Sequence, residues 1–349
     1  MLALRYSWRP DAAEQVADPR FPTLTHVALL AKVSENTVSR VVRDKGPIAA
    51  KTRERVIAAI EAVGYVPNRA ARSLASSRAP LIAVLLPSLS NIVFPEVLRG
   101  INAALAGTSY QPMIGVTEYS PEVEEELLTS LLAWRPSALV TTGFHHTPAA
   151  RGMLERCGIR VAEIMEIDGV PVDLAVGLSH HRAGVETARH LVGRGYRRIG
   201  YVGHDLNTDR RAAARYEGLL AGLRATGHAV AAEMCLDGPS SVSGGREALA
   251  RLLAGGARVD AVVFTNDDMA VGGYMHCLSE GIVIPDRLAL FGFNGLDIGQ
   301  ALPQPLSTIR SNRFLIGKTA TERLLAAPER PALPETIDTG FEILAGATA

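Results

Sequence analysis

From Leu81 onward short apolar runs alternate with amphipathic stretches, and this alternation constrains the chain more than any other feature. The runs LIAVLLP, YQPMIGV, ALVTTG, RVAEIME, RRIGYVG, DAVVFTND and LALFGFN read as strands buried on both faces. Between some of them lie FPEVLRGINAALAG, EVEEELLTSLLAW, AGVETARHLVGRG and YEGLLAGLRATG, whose apolar positions recur at helical spacing. Strand–helix alternation gives parallel sheets covered by helices on both sides. So many units imply two doubly wound halves rather than one very wide sheet. The expected fold class is therefore α/β over residues 80–349, with a different architecture in front of it.

The front is set apart by charge. The 349-residue chain has 36 basic and 36 acidic residues. Residues 20–78 carry 11 of the basic and 4 of the acidic ones, a net of +7. With 13 basic and 7 acidic residues lying before position 79, the remainder holds 23 and 29, a net of −6. A small basic module fused to a larger acidic one points to nucleic acid at one end, where basic groups displace phosphate counterions. Residues 1–19 are broken by charges and Pro10 and are no signal peptide. They read as a loose tail, or as sequence upstream of a misplaced start codon. Cys157, Cys235 and Cys277 stand far apart and form no CxxC pair, which fits a reducing cytosol better than a disulfide framework or zinc site. No apolar run approaches the length of a membrane span.

Within the basic module, TLTHVALLAKVSENTVSRVVRDKG reads as two short helices and a tight turn. Thr23 is placed to cap the first, with Leu24, Val27, Ala28 and Ala31 on its inner face. The turn falls at Lys32 and Val33, and Ser34 caps the second helix. There Val38, Val41 and Val42 face inward. Asn36, Arg40 and Arg43 line the outward face, flanked by Thr37 and Ser39. Such side chains can reach base edges and phosphates in a major groove. A third helix, KTRERVIAAIEAVG, has Val56, Ile57, Ile60 and Val63 as its expected core stripe and Gly64 at its end. Residues 68–76 could form barely two helical turns, and composition alone favours a linker.

The three-helix unit followed by GYVPNRAARSLAS resembles the lactose-repressor (LacI/GalR) family, and the resemblance runs through almost all of residues 22–345. The strings LLPSLSNIVFPEVLRGI, LLAWRPSALVTTG, FTNDDMAVGG and IPDRLALFGFN are similar to its gluconate-operon-repressor branch. The resemblance implies a helix-turn-helix headpiece over residues 20–67, a hinge helix and linker over 68–79, and two periplasmic-binding-protein-like subdomains over 80–349. It places Glu35, Asn36, Thr37, Ser39, Arg40 and Arg43 on the operator, with Asn36 and Arg40 as base readers. It puts Asn68 and Arg69 on the hinge helix and makes Leu74 its intercalating leucine. That overturns the linker reading. It also exposes two departures: Lys32 stands where the family usually has Gly, and Ala49 where it usually has a capping Ser.

In α/β sheets ligands sit beyond the carboxyl ends of strands. The residues there are Ser88, Asn91 and Phe94; Phe144, His145 and His146; Asp209, Arg210, Arg211 and Arg215; Asn266 and Asp267; and Asn294. Asn and Ser suit hydroxyls, an aromatic suits a sugar ring, and Arg suits a carboxylate. The resemblance singles out Arg215, Asn266 and Asn294. Ser88, Asn91, Phe94 and His145 complete the expected effector set. A small polar effector is expected, a sugar acid such as gluconate being favoured.

Metal binding by His145–His146 or His180–His181 is rejected because no cysteine or regular acidic partner accompanies them. IGKT at 316–319 lacks the upstream Gly of a P-loop, Asn312 holding that place. Neither GxGxxG after the first strand nor GxSxG is present, and no nucleophile–base set is visible. Thus no cofactor, metal or catalysis is expected. The expected product is a cytoplasmic homodimeric regulator that binds pseudo-palindromic operator DNA, since one headpiece reads only a half-site. A solute-binding protein for a sugar or sugar acid is the competing reading, to which the basic headpiece is of no use.

Overall fold

The computed structural model describes residues 22–44, 46–66, 78–89 and 91–349. It separates into two units, residues 1–77 and 78–349. Asn68, Arg69 and Leu74 lie outside the described residues.

The first unit holds α1 (Leu24–Ala31), α2 (Glu35–Val42) and α3 (Ala50–Val63). Val27, Ala28, Ala31, Val38, Val41, Val56, Ala59 and Tyr65 form its core. The expected stripe of α3 needs one correction: Ile57 is 43% exposed and Ala59 takes the buried place. Position 59 lies three residues on from fully buried Val56, whereas position 57 is rotated by about 100° off that face. Ser34 caps α2, its Oγ accepting from Thr37 N at 3.2 Å. Lys32 closes α1 in the left-handed region, φ 52° and ψ 52°. Arg55 of α3 donates to the Ala31 carbonyl at 2.7 Å and to the Lys32 carbonyl at 3.2 Å, capping α1 from outside. Ala49 makes no side-chain cap for α3.

The second unit contains two six-stranded sheets. In chain order its elements are β1 (Leu81–Leu86), α4 (Val93–Leu105), β2 (Gln111–Val116), α5 (Pro121–Ala133), β3 (Ala138–Thr142), α6 (Pro148–Arg156), β4 (Arg160–Glu166) and β5 (Leu174–Leu178). Then come α7 (His180–Gly193), β6 (Ile199–His204), α8 (Arg210–Ala225), β7 (Ala232–Leu236), α9 (Val242–Ala254), β8 (Ala261–Phe264) and α10 (Asp267–Ser279). The chain ends with β9 (Ala289–Asn294), α11 (Asp297–Gln300), β10 (Ser307–Ser311), α12 (Arg313–Ala326), β11 (Glu335–Asp338) and β12 (Phe341–Leu344). The first sheet runs β11-β5-β4-β3-β1-β2, all parallel. The second runs β12-β10-β9-β8-β6-β7, parallel except where β12 pairs antiparallel with β10.

Strand alternation divides the cores. Ile82, Val84 and Leu86 point to one face of the first sheet, and Ala83 and Leu85 point to the other, against Leu128 and Leu154. The expectation of strands buried on both faces fails at β2, an edge strand in which Gln111 and Ile114 are exposed.

Helices pair where small residues let backbones meet. Gly184 of α7 and Gly218 of α8 face each other so closely that an added Cβ on either would fall inside a carbonyl oxygen, that of Arg215 or His181. Gly100 and Gly317 join α4 to α12 in the same way, and Gly245 and Gly272 join α9 to α10. The chain passes between the sheets three times: at Ser179, at Asn312 and at Thr339–Gly340. Asn312 Nδ2 donates to the Thr339 carbonyl at 2.8 Å, and Thr339 N donates to the Gly177 carbonyl at 2.8 Å, so the crossings brace one another.

Candidate nucleic-acid interface and ligand cleft

On α2 the valines turn inward and leave Glu35, Asn36 and Arg40 exposed, with Thr37 and Ser39 half-buried and Arg43 exposed at the C-cap. Glu35 Oε1 accepts from Thr25 Oγ1 at 2.6 Å, tying the start of α2 to α1. Thr37 Oγ1 lies 2.9 Å from Ser34 Oγ, within the cap. Asn36 and Arg40 engage no hydrogen-bond partner among the described residues. Their polar groups are left unengaged, while Glu35 and Thr37 already serve the fold.

In the second unit a cleft of about 570 Å³ opens at the carboxyl ends of the strands. One wall comes from the first sheet: Pro87 after β1, Thr117, Tyr119 and Glu122 after β2, Thr142 at the end of β3 with His145 and His146 beyond it, and Glu166 at the end of β4. The other wall is Asn207–Arg211, the segment that leads from β6 into α8. Of the seven effector residues expected from sequence, His145 lines this cleft directly. The other six are not among its lining residues. Ser88 Oγ accepts from Asn91 N at 3.2 Å, and Asn91 Nδ2 donates to the Tyr119 hydroxyl at 3.0 Å. Phe94 is fully buried, with the Arg211 guanidinium 5.7 Å from its ring centre.

Arg215 sits behind the second wall. Its guanidinium stacks 4.0 Å from the Phe293 ring centre, donates to the Thr265 carbonyl at 3.0 Å and lies 3.1 Å from His180 Nδ1. Burial lowers the Arg215 pKa and Asp209 opposes that shift. Burial, with Arg215 and Arg211 adding to it, holds His180 well below the usual imidazole range. The ring is therefore neutral. The hydrogen-bond network assigns its proton to Nε2, which lies 3.0 Å from the Met165 carbonyl and leaves Nδ1 to accept from Arg215. For Asp209 burial pushes the pKa upward, but Arg211 and Arg215, with the Ala212 N–H and His204, outweigh it and leave the pKa lowered.

Two non-glycine residues at strand ends hold left-handed backbone: Met165 (φ 82°) on β4 and Asn294 (φ 115°) on β9. The Met165 carbonyl is held by His180 and the Asn294 carbonyl by Arg313 Nη1. Strain of this kind persists where surrounding contacts over-determine it, and it clusters at ligand sites. Asn266 is the N-cap of α10, but its side chain makes no cap hydrogen bond. The adjoining Asp267 carboxylate accepts from Leu296 N and Thr308 Oγ1, each at 2.6 Å, and burial pushes its pKa up to about 6.

The reason given for rejecting a metal at His145–His146 needs correcting. His146 has two acidic partners: Nδ1 lies 2.8 Å from Glu124 Oε2 and Nε2 3.3 Å from Glu163 Oε1. They come from α5 and β4, so adjacency along the chain could not show them. The three groups bind one another, and among the described residues no group of three or more His, Cys, Asp or Glu is placed to hold a metal ion. Tyr119 and Glu166 are further cleft residues that the sequence reading did not name, and Arg211 is one it placed past a strand end but left out of the effector set. Burial raises the Glu166 pKa, with Arg211 and His145 opposing it. Their signal was positional, since each lies at or just beyond a strand's carboxyl end.

Residues 23–68 match the model of bacterial regulatory proteins of the lacI family, and residues 188–347 match that of the periplasmic binding protein-like domain. The HTH-type transcriptional regulator GntR of Pseudomonas aeruginosa is 39% identical over 326 residues, which cover 93% of this chain and 94% of that one. This chain belongs to the LacI family. A LacI-family regulator from Silicibacter pomeroyi shares its structure with a TM-score of 0.88 and 44% identity, over 94% of this chain and 99% of that one. The lac repressor dimer, bound in its crystal structure to operator and an anti-inducer, matches with a TM-score of 0.82 and 25% identity over 94% of this chain and 99% of that one. As a LacI-family member the chain is a DNA-binding transcriptional regulator, with a headpiece and a periplasmic-binding-protein-like domain. No helix among the described residues is long and apolar enough to cross a membrane.

Proposed function

We propose that this regulator is a homodimeric repressor whose operator affinity falls when a sugar acid, gluconate being the first to test, fills the cleft. Arg211 carries the ligand half of this reading. Its guanidinium lines the cleft and makes no hydrogen bond among the described residues, leaving its donors for an anion. Arg is suited to a carboxylate because its planar fork pairs with both oxygens. Effector contacts are assigned to His145, Arg215, Asn266 and Asn294, with Ser88, Asn91 and Phe94 shaping the wall. Operator contacts are assigned to Asn36, Arg40, Arg43, Thr37, Ser39 and Glu35, with Asn68, Arg69 and Leu74 acting in a hinge segment over 68–79. The chain crosses between the lobes of the second unit three times, and a ligand that bridges the cleft favours one lobe arrangement over another. It acts through its differential affinity for the two states.

Selection of duplexes from a randomised library, followed by anisotropy titration, tests the DNA assignment. Arg40→Ala is expected to lose the selected preference while keeping weak salt-dependent binding. An unchanged preference refutes α2 as the reading helix. Calorimetry with gluconate, its phosphate and a neutral hexose tests the ligand class. Binding of the neutral sugar alone refutes the sugar acid.

A further inference from the structure

The chain repeats one arrangement at two of its crossings. At the first, β5 pairs with β4 so that Gly177 lies opposite Met165, and His180 follows three residues later as the first residue of α7. At the second, β10 pairs with β9 so that Arg310 lies opposite Asn294, and Arg313 follows three residues later as the first residue of α12. Met165 and Asn294 both hold left-handed backbone, φ 82° and 115°. Each has its carbonyl taken by the side chain that has just crossed. His180 Nε2 lies 3.0 Å from the Met165 carbonyl, and Arg313 Nη1 donates to the Asn294 carbonyl.

Both bonds run from one lobe to the other. His180 belongs to the second lobe: α7 packs on α8 through Gly184 and Gly218, and the His180 ring lies 5.7 Å from that of Phe293 on β9. Its partner Met165 is in the first sheet. Arg313 belongs to the first lobe, where α12 packs on α4 through Gly317 and Gly100, and its partner Asn294 is in the second sheet. Each side chain is also anchored by the helix on which its own helix packs. Arg215 of α8 lies 3.1 Å from His180 Nδ1, and Glu96 of α4 accepts from Arg313 Nε at 2.7 Å. His180 is 2% exposed and Arg313 5%. Left-handed backbone at a non-glycine residue persists only where surrounding contacts fix it. At both places one of those contacts comes from the opposite lobe.

We propose that His180 and Arg313 are matched clasps that set the angle between the lobes and, through it, operator affinity. Hinges turn on a few residues at element ends, and each clasp stands one residue beyond a crossing. Turning one lobe against the other moves a strand end away from the helix start that grips it, so one motion stretches both bonds. The arrangement seen here is favoured by both clasps, and a ligand or operator that prefers another arrangement must overcome them. The inference goes beyond the proposed function and holds whatever ligand the cleft takes. Sequence reading raised His180 only as a metal ligand and passed over Arg313, because spacing along the chain signals neither carbonyl partner.

The test is the distance between spin labels on the two lobes of the ligand-free full chain, read by pulsed electron spin resonance. The labels go on Thr129→Cys of α5 and Glu247→Cys of α9, both exposed positions, with Cys157 and Cys235 replaced by Ser. Arg313→Met and His180→Leu each open one clasp. Each is expected to shift the ratio of lobe arrangements about tenfold, the effect of losing one hydrogen bond. Both are expected to bring up the same second distance, although they act at different crossings. Arg313→Lys and His180→Gln keep a donor and are expected to restore part of the wild-type distribution. Glu96→Gln loosens Arg313 at a carboxylate whose side chain is 40% exposed, and is expected to shift the ratio the same way by a smaller factor. If Arg313→Met or His180→Leu does not fold, Glu96→Gln and His180→Gln decide the question by the same criterion. Operator affinity, read by anisotropy on the selected duplex, is expected to change in the same direction at both clasps, since the headpiece is untouched. Unchanged distances, a shift confined to one clasp, or different second distances overturn the proposal. So does operator affinity that stays constant or moves in opposite directions.

Discussion

His146 offers a test of the electrostatics beneath the cleft. Its side chain is 1% exposed between Glu124 and Glu163. Burial alone would lower its pKa, but hydrogen-bonding and Coulomb interactions with Glu124 and Glu163 outweigh burial and push the pKa up from 6.5 to about 9. At 1.36 kcal/mol per pKa unit this is about 3 kcal/mol of stability. The folded state holds the proton more tightly than the unfolded chain. The contribution is therefore fully present below pH 6.5 and is lost as the pH rises through about 9. His146→Gln removes the cation and leaves two buried carboxylates facing an amide, a loss of about 3–5 kcal/mol at pH 6.5. Urea unfolding of wild type and His146→Gln, followed by tryptophan fluorescence and circular dichroism at steps from pH 6.5 to 9.5, reads the difference. The gap between the two proteins should close by about 3 kcal/mol across that range. A gap that stays constant refutes the argument, because it would mean that the buried ring is neutral throughout.

Two further substitutions test local readings. Lys32→Gly removes a side chain from a left-handed residue at φ 52° and should raise headpiece stability by about 1 kcal/mol, read as a higher melting temperature. No rise would show that Arg55, through its bonds to Ala31 and Lys32, already offsets the strain. Gly218→Ala forces α8 off α7 at the His181 carbonyl and should cost about 1–3 kcal/mol in the melting of the second unit. A neutral result would mean that the two helices slide apart freely.

How far the chain could be read depended on range. The headpiece was legible because its signals are local. Ser34, Lys32 and Gly64 each act within one helical turn, and the valines of α2 declare their face by spacing. The apolar strands β1, β3, β4, β6, β8 and β9 were legible too. β7, β10, β11 and β12 went unread, being mixed in polarity and specified by the strand beside them rather than by their own pattern, and the apolar β5 went unread as well. Ile57 and the edge strand β2 were misjudged for the same reason, since burial depends on what packs alongside.

For the site, sequence alone determined where to look: past strand ends, with Asn, Ser, aromatic and Arg residues as the chemistry. The tertiary structure decided which of those residues meet. It put His145, Tyr119, Glu166 and Arg211 around one cleft and set Arg215 behind its wall. It joined His146 to two carboxylates 22 and 17 residues away in the chain. It also left His204 Nε2 and Asn266 Oδ1 buried without a hydrogen-bond partner. The physical reason is that a side chain's identity states what it can bond, while burial and neighbours, contributed by remote strands, decide which of its bonds the fold leaves open.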